Sequence, residues 1–75
     1  MDKNNFLQLF AEQFEDTDAT EITMECKFRD LDEWSSLVAL GLIAFVKTSY
    51  GKTLTANEMR SCSTVEDLYH LVAAK

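Results

Sequence analysis

The run Leu37–Val46 contains no polar side chain; every position is aliphatic, aromatic, alanine or glycine. This run most narrows what a chain of 75 residues can become. A helix that is apolar nearly all round needs a core that surrounds it or a partner for the side left exposed. A chain this short has room for about three or four short helices around one modest core. Such a core cannot wrap the helix completely, so some of its apolar surface is expected to face outward. The run is also shorter than the roughly 20 residues that span a bilayer, and no membrane insertion is expected.

The helix boundaries follow from capping chemistry. The chain has no proline and two glycines, so helices can run uninterrupted and turns must use other residues. Asp2 is a natural N-cap for a first helix over Lys3–Phe14, in which Phe6, Phe10 and Phe14 recur at a spacing of four with Leu7 alongside. An acidic, threonine-rich stretch, Glu15–Glu21, breaks it. Ile22, Met24, Cys26 and Phe28 then alternate as in a strand, but no second strand-like run exists to pair with them. An ordered loop pinning Ile22, Phe28 and Leu31 to a helical core is the better reading.

The second helix is expected to start at Ser35 or Ser36 and to run to Tyr50, with Gly51 just past its end. Leu42, Ile43, Val46 and Tyr50 form one face, and Leu37, Leu40 and Ala44 a second. Thr55–Glu58 reads as a capping box for a short third helix, with Leu54 and Met59 as its hydrophobic staple. Ser63–Glu66 reads as a second capping box, opening a fourth helix with Leu68, Leu71 and Val72 on one face. The expected fold is all-α: residues 1–75 as a single domain, a small four-helix bundle with a long first loop and a short third helix.

Composition excludes several functions. With 13 acidic and 7 basic residues the formal net charge is -6. Such a chain lacks the basic face that nucleic acids or anionic membranes require. His70, the one histidine, falls inside the fourth helix and reads as a surface or boundary residue rather than a catalytic base. Cys26 and Cys62 are widely separated and read as reduced, half-buried thiols. Neither a structural metal site nor a glycine-rich phosphate loop is present in the pattern. Asp30, Asp32 and Glu33 read as solvated charges ahead of a helix N-terminus. No signal peptide is apparent, and a soluble, cytoplasmic protein is expected.

The informative constellation is Leu31-Asp32-Glu33-Trp34-Ser35-Ser36-Leu37. A serine at the first turn of an apolar helix can simply cap it. The same position also favours a phosphate ester, which meets free N–H groups and the positive end of the helix dipole. Ser36-Leu37 resembles the Asp-Ser-Leu signature of acyl and peptidyl carrier proteins, and the resemblance extends over essentially the whole chain. Phe6, Phe10 and Phe14 resemble the family's first helix. Ile22, Phe28 and Leu31 stand at its spacing before the serine. Tyr50-Gly51-Lys52-Thr53-Leu54 is similar to its exit from helix two, and Thr64-Val65 with Asp67-Leu68 to the start of its last helix.

The resemblance implies a four-helix bundle in which Ser36 carries a covalent 4′-phosphopantetheine arm derived from coenzyme A. The arm's thiol would hold acyl or aminoacyl groups as thioesters for fatty-acid, polyketide or related biosynthesis. A magnesium-dependent phosphopantetheinyl transferase and enzymes that load, elongate or transfer acyl groups are the implied partners. The carrier would be their substrate, a monomer and not itself an enzyme, with neither Cys26 nor Cys62 as the working thiol. The resemblance also implies that core residues such as Phe28, Ile43, Val46, Tyr50, Met59 and Leu68 would admit the end of an acyl chain between helices.

Two positions depart from the family pattern. Ser35 stands where the family usually has aspartate, and Ser35 itself is the alternative attachment residue. Helix-two positions that are usually acidic read Val38, Gly41, Lys47 and Thr48. A dedicated partner docking on Leu37, Val38, Leu40, Gly41 and Phe45 therefore fits better than promiscuous docking through acidic residues. The alternative function is an unmodified helical module that binds a protein partner through helix two.

Overall fold

Asp2 caps the first helix, α1 (Lys3–Ala11), its side chain accepting a hydrogen bond from the Asn4 N–H at 2.9 Å. The computed structural model describes residues 2–75. After α1 come α2 (Ser36–Tyr50), α3 (Ala56–Arg60) and α4 (Val65–Ala73), with two short 3-10 turns, Ala19–Glu21 and Phe28–Asp30, in the long loop before α2. No strand occurs among the described residues. The chain is a small all-helical bundle with a Cα radius of gyration of 11.0 Å. That equals the roughly 11 Å expected of a folded chain this long.

α1 stops earlier than the Phe6–Phe10–Phe14 stripe suggests. Past Ala11 the bonds tighten to a three-residue reach, from Gln13 N–H to Phe10 O and Phe14 N–H to Ala11 O, both 3.1 Å. Phe14 stays buried on the stripe. The next three N–H groups, of Glu15, Asp16 and Thr17, donate to the Glu33 carboxylate instead of to helix carbonyls, at 2.6, 3.0 and 2.8 Å. Charge-assisted bonds of this kind are stronger than neutral ones and hold the chain in its turn.

The alternating stretch Ile22–Phe28 is an ordered loop. Its inward residues Ile22 and Phe28 are buried, with Met24, Cys26 and Leu31 half-buried. Two of its carbonyls find donors at the start of α4: Val65 N–H donates to Cys26 O at 3.1 Å and Glu66 N–H to Met24 O at 2.8 Å. These N–H groups belong to the first turn of α4, which has no intrahelical partners for them. A helix N-terminus thus replaces the missing partner strand.

α3 is capped as its sequence predicts. Thr55 Oγ1 accepts from Glu58 N–H, the Glu58 carboxylate accepts from Thr55 N–H, and Leu54 and Met59 are buried as the staple. The second capping box lies one residue later than expected. Thr64, not Ser63, caps α4, and Asp67 rather than Glu66 reaches back, accepting from Ser63 N–H and Thr64 N–H at 3.2 Å each. This register buries Val65, Leu68, Tyr69 and Val72, with Leu71 at the boundary. It also frees Glu66 to pair with Lys3 and His70.

The core is aromatic along its length. Phe6 lies against Phe45, Tyr69 and Tyr50, with centroids 5.6, 5.5 and 6.2 Å away. Phe10 meets Phe14 and Phe28 at 5.5 and 5.6 Å, and Phe28 meets Trp34 edge-on at 5.2 Å. The cluster therefore runs from the end of α2 to the residues that lead into it. Edge-on aromatic pairs add about 0.5–1.5 kcal/mol each beyond area burial.

Candidate functional site

The approach to α2 is fixed from below by Trp34. Its ring packs on Phe28 and Phe14, and its backbone N–H donates to Leu31 O at 3.0 Å. Glu33, one residue earlier, ties the same corner to the end of α1. It binds three backbone N–H groups there and also accepts from the Thr17 hydroxyl at 2.7 Å. The Thr17 hydroxyl and those N–H groups hold the Glu33 carboxyl below the usual glutamate range. Glu33 is thus a brace, not the solvated charge the sequence suggested.

Ser35 and Ser36 divide two roles. Ser35 is extended (φ -157°, ψ 171°), and its hydroxyl accepts from Val38 N–H at 3.3 Å, so it caps α2. Ser36 is the first helical residue and is exposed. Its hydroxyl has no hydrogen-bond partner among the described residues. At the far end, Gly51 takes the left-handed conformation (φ 68°) that closes α2, and its N–H donates to Lys47 O.

Two large apolar side chains are exposed next to this serine: Leu37 at 78% and Leu40 at 61% of full exposure. The remaining residues expected on the same docking surface lie elsewhere. Val38 and Phe45 are buried in the core, because the face of α2 that carries Leu42 and Val46 also turns them inward. Gly41 is half-buried under Gln13; a methyl group placed on it would meet Gln13 Oε1 at 2.7 Å. The outward apolar surface of α2 narrows to Leu37 and Leu40, with Ala44 exposed one turn further on.

Beside Ser36 a groove of about 340 Å³ opens between α2 and α3. Trp34, Leu40, Ile43 and Met59 form its apolar lining, and Arg29 and Arg60 contribute its charged groups. Of the residues expected to receive an acyl chain, Ile43 and Met59 border this groove. Phe28, Val46 and Leu68 are packed in the closed core, and Tyr50 lies half-buried against Phe6 and Phe45. The two arginines carried no sequence signal, since they stand in a loop and at the end of a short helix.

The remaining reactive groups lie outside the groove. His70 is exposed on α4 with Glu66 3.7 Å away. Burial pushes the thiols of Cys26 and Cys62 up, away from the reactive thiolate. No cluster of three metal-ligating side chains occurs among the described residues. None of their helices is long and apolar enough to cross a membrane. No family model, curated protein or solved structure matches the chain.

Proposed function

We propose that this chain is an acyl-carrier-like protein whose Ser36 hydroxyl is the attachment point for a 4′-phosphopantetheine arm. One observation carries the reading: two adjacent serines at the start of α2 have separated duties. Ser35 caps the helix, which leaves the Ser36 hydroxyl exposed and unengaged. A phosphodiester formed there would stand at a helix N-terminus, where unpaired N–H groups and the dipole favour an anion. The fit is also steric. Ser36 borders a groove of mixed apolar and cationic lining, so a flexible arm has a surface to lie on.

The arm would supply a terminal thiol that holds an acyl or aminoacyl group as a thioester. This chain's own contribution is positional. Ser35 fixes the helix start, Trp34 and Glu33 hold that start against the core, and Leu37 and Leu40 offer an apolar contact beside the attachment point. Partner enzymes would then do the chemistry: a phosphopantetheinyl transferase that installs the arm, and enzymes that load and transfer acyl groups. No general base is required of the carrier.

A fluorescent coenzyme A analogue, magnesium and a broad-specificity transferase provide the test. Wild type and Ser35→Ala should become fluorescent on a denaturing gel, and Ser36→Ala should stay dark. A second reading, an unmodified interaction module, is favoured by the exposure of Leu37 and Leu40. It predicts a partner captured equally by wild type and Ser36→Ala, with no labelling of either.

A further inference from the structure

Three cations gather on one corner of an acidic molecule. Of the 7 basic side chains, Lys3 and Lys75 pair with Glu66 and Glu58, and Lys52 Nζ donates to the Val72 and Lys75 carbonyls. Lys27, Arg29 and Arg60 have no carboxylate within 4.0 Å among the described residues, although the chain carries 13 acidic ones. Lys27 and Arg29 border one surface hollow, and Arg29 and Arg60 border the next, together with the exposed Leu40. Asp30 is the one carboxylate in either lining. The cations stand on the approach to the Phe28–Asp30 turn, on that turn and at the end of α3, and all three residues are exposed. Arg29 Nη2 donates to the Cys62 carbonyl at 2.8 Å, and Arg60 Nη2 donates to Asn57 Oδ1. Each guanidinium is thus held by one bond and keeps further N–H donors, in a planar fork that matches a carboxylate.

We infer that this corner docks a carboxylate-rich, amphipathic segment of a partner protein. Its glutamates or aspartates meet Lys27, Arg29 and Arg60, and an apolar side chain between them covers Leu40. Charge complementarity selects this occupant. At a net charge of -6, most of the surface repels such a segment, so it settles at this corner and in one orientation. A nucleic acid fits less well, because its affinity comes from neutralising many phosphates in a row, and three cations inside an acidic field supply few. The surface makes no use of the Ser36 hydroxyl, so the inference stands apart from the carrier reading.

The test titrates the unmodified, isotope-labelled full chain with three probes. The first is a peptide of leucine and glutamate, its leucines at helical spacing. The second has lysine in place of glutamate, and the third is a single-stranded oligothymidylate. Nitrogen–proton spectra follow the backbone and the arginine Nε–H groups. The acidic peptide should move the resonances of Lys27, Arg29, Leu40 and Arg60 to saturation, and the lysine peptide should leave them in place. Lys27→Gln and Arg60→Gln should each weaken binding roughly two- to fivefold, the scale of one exposed charge pair, and added salt should weaken it further. Arg60→Lys, which keeps the charge, should bind more tightly than Arg60→Gln. Thermal melts of the variants should match wild type, since the Lys27 side chain makes no hydrogen bond among the described residues and Arg60 makes one at the surface.

No shift at these residues at millimolar acidic peptide, or affinities indifferent to both glutamine variants, would overturn the inference. The same shifts with the lysine peptide would reduce the corner to an apolar contact at Leu40 and overturn it likewise. Tighter binding of the oligothymidylate at the same residues would assign the corner to nucleic acid instead. Each of these outcomes leaves the reading of Ser36 untouched, because no loaded form enters the experiment.

Discussion

Replacing Ser35 with alanine separates the structural serine from the functional one. The Ser35 hydroxyl accepts one bond, from Val38 N–H at 3.3 Å, toward the long end of the hydrogen-bond range. Loss of a serine cap costs about 0.5–2 kcal/mol, and the length of this bond places Ser35→Ala at about 0.5–1 kcal/mol. A folded chain of this size holds only about 4–11 kcal/mol in all. The loss should therefore be visible as a fall of about 2–8 °C in melting temperature. In urea the same change shifts the midpoint by about 0.5–1 M for a slope near 1 kcal/mol per molar. Ser36→Ala is the control, because its hydroxyl makes no bond and alanine suits an exposed helical position. It should lie within about 0.5 kcal/mol of wild type. Circular-dichroism melts and urea titrations of the two variants side by side decide the matter. Equal losses in both, or a larger loss in Ser36→Ala, would refute the division of roles at the start of α2.

Three further perturbations probe what holds the site. Phe10→Ala removes a fully buried ring that contacts Phe6, Phe14 and Phe28, and should cost about 3–5 kcal/mol by urea denaturation. Gly51→Ala places a side chain at φ 68° with no steric neighbour within 4 Å, so backbone strain alone should cost about 1–2 kcal/mol. The Glu33 carboxyl is held low in the folded state, first by the Thr17 hydroxyl and then by the N–H groups of Glu15, Asp16 and Thr17. Its stabilisation is therefore complete above the ordinary value of about 4.3 and is lost as pH falls through the lowered one. Urea midpoints measured from pH 7 to pH 3 should fall less steeply in Glu33→Gln than in wild type, and parallel curves would show that the brace contributes nothing.

The fold was readable from the sequence wherever the signal is local. Asp2, Thr55–Glu58 and Gly51 act where their positions predict, because a cap bonds only residues within one turn of itself. Phe6, Phe10 and Phe14 declared a shared face, but not where the helix that carries them would end. That end is set by Glu33, whose partners are sixteen to eighteen residues away and leave no periodic trace. The one-residue shift of the α4 cap has a similar cause. Ser63 and Thr64 are both acceptable caps, and the choice falls to the register that buries Val65 and Tyr69 against the core.

The candidate site was legible in part for the same reason. Ser35 and Ser36 were recognisable as a helix start, and the exposure of Leu37 and Leu40 follows from an apolar helix too large for its core. Val38 and Phe45 could not be told from them by composition, since every residue of that run is apolar. Only the packing of α2 on Phe6 and its neighbours sorts inward from outward. Arg29 and Arg60 are separated by much of the chain, and only tertiary folding places both on one groove.

The central claim is that Ser36 accepts a phosphopantetheine arm, and intact mass tests it most directly. Wild type, Ser35→Ala and Ser36→Ala should each be weighed before and after incubation with coenzyme A, magnesium and a broad-specificity transferase, beside a carrier known to be modified. A gain of one phosphopantetheine unit by wild type and Ser35→Ala, and none by Ser36→Ala, is the predicted result. An unchanged mass in wild type while the control carrier is modified, or a gain that survives Ser36→Ala, would contradict the account.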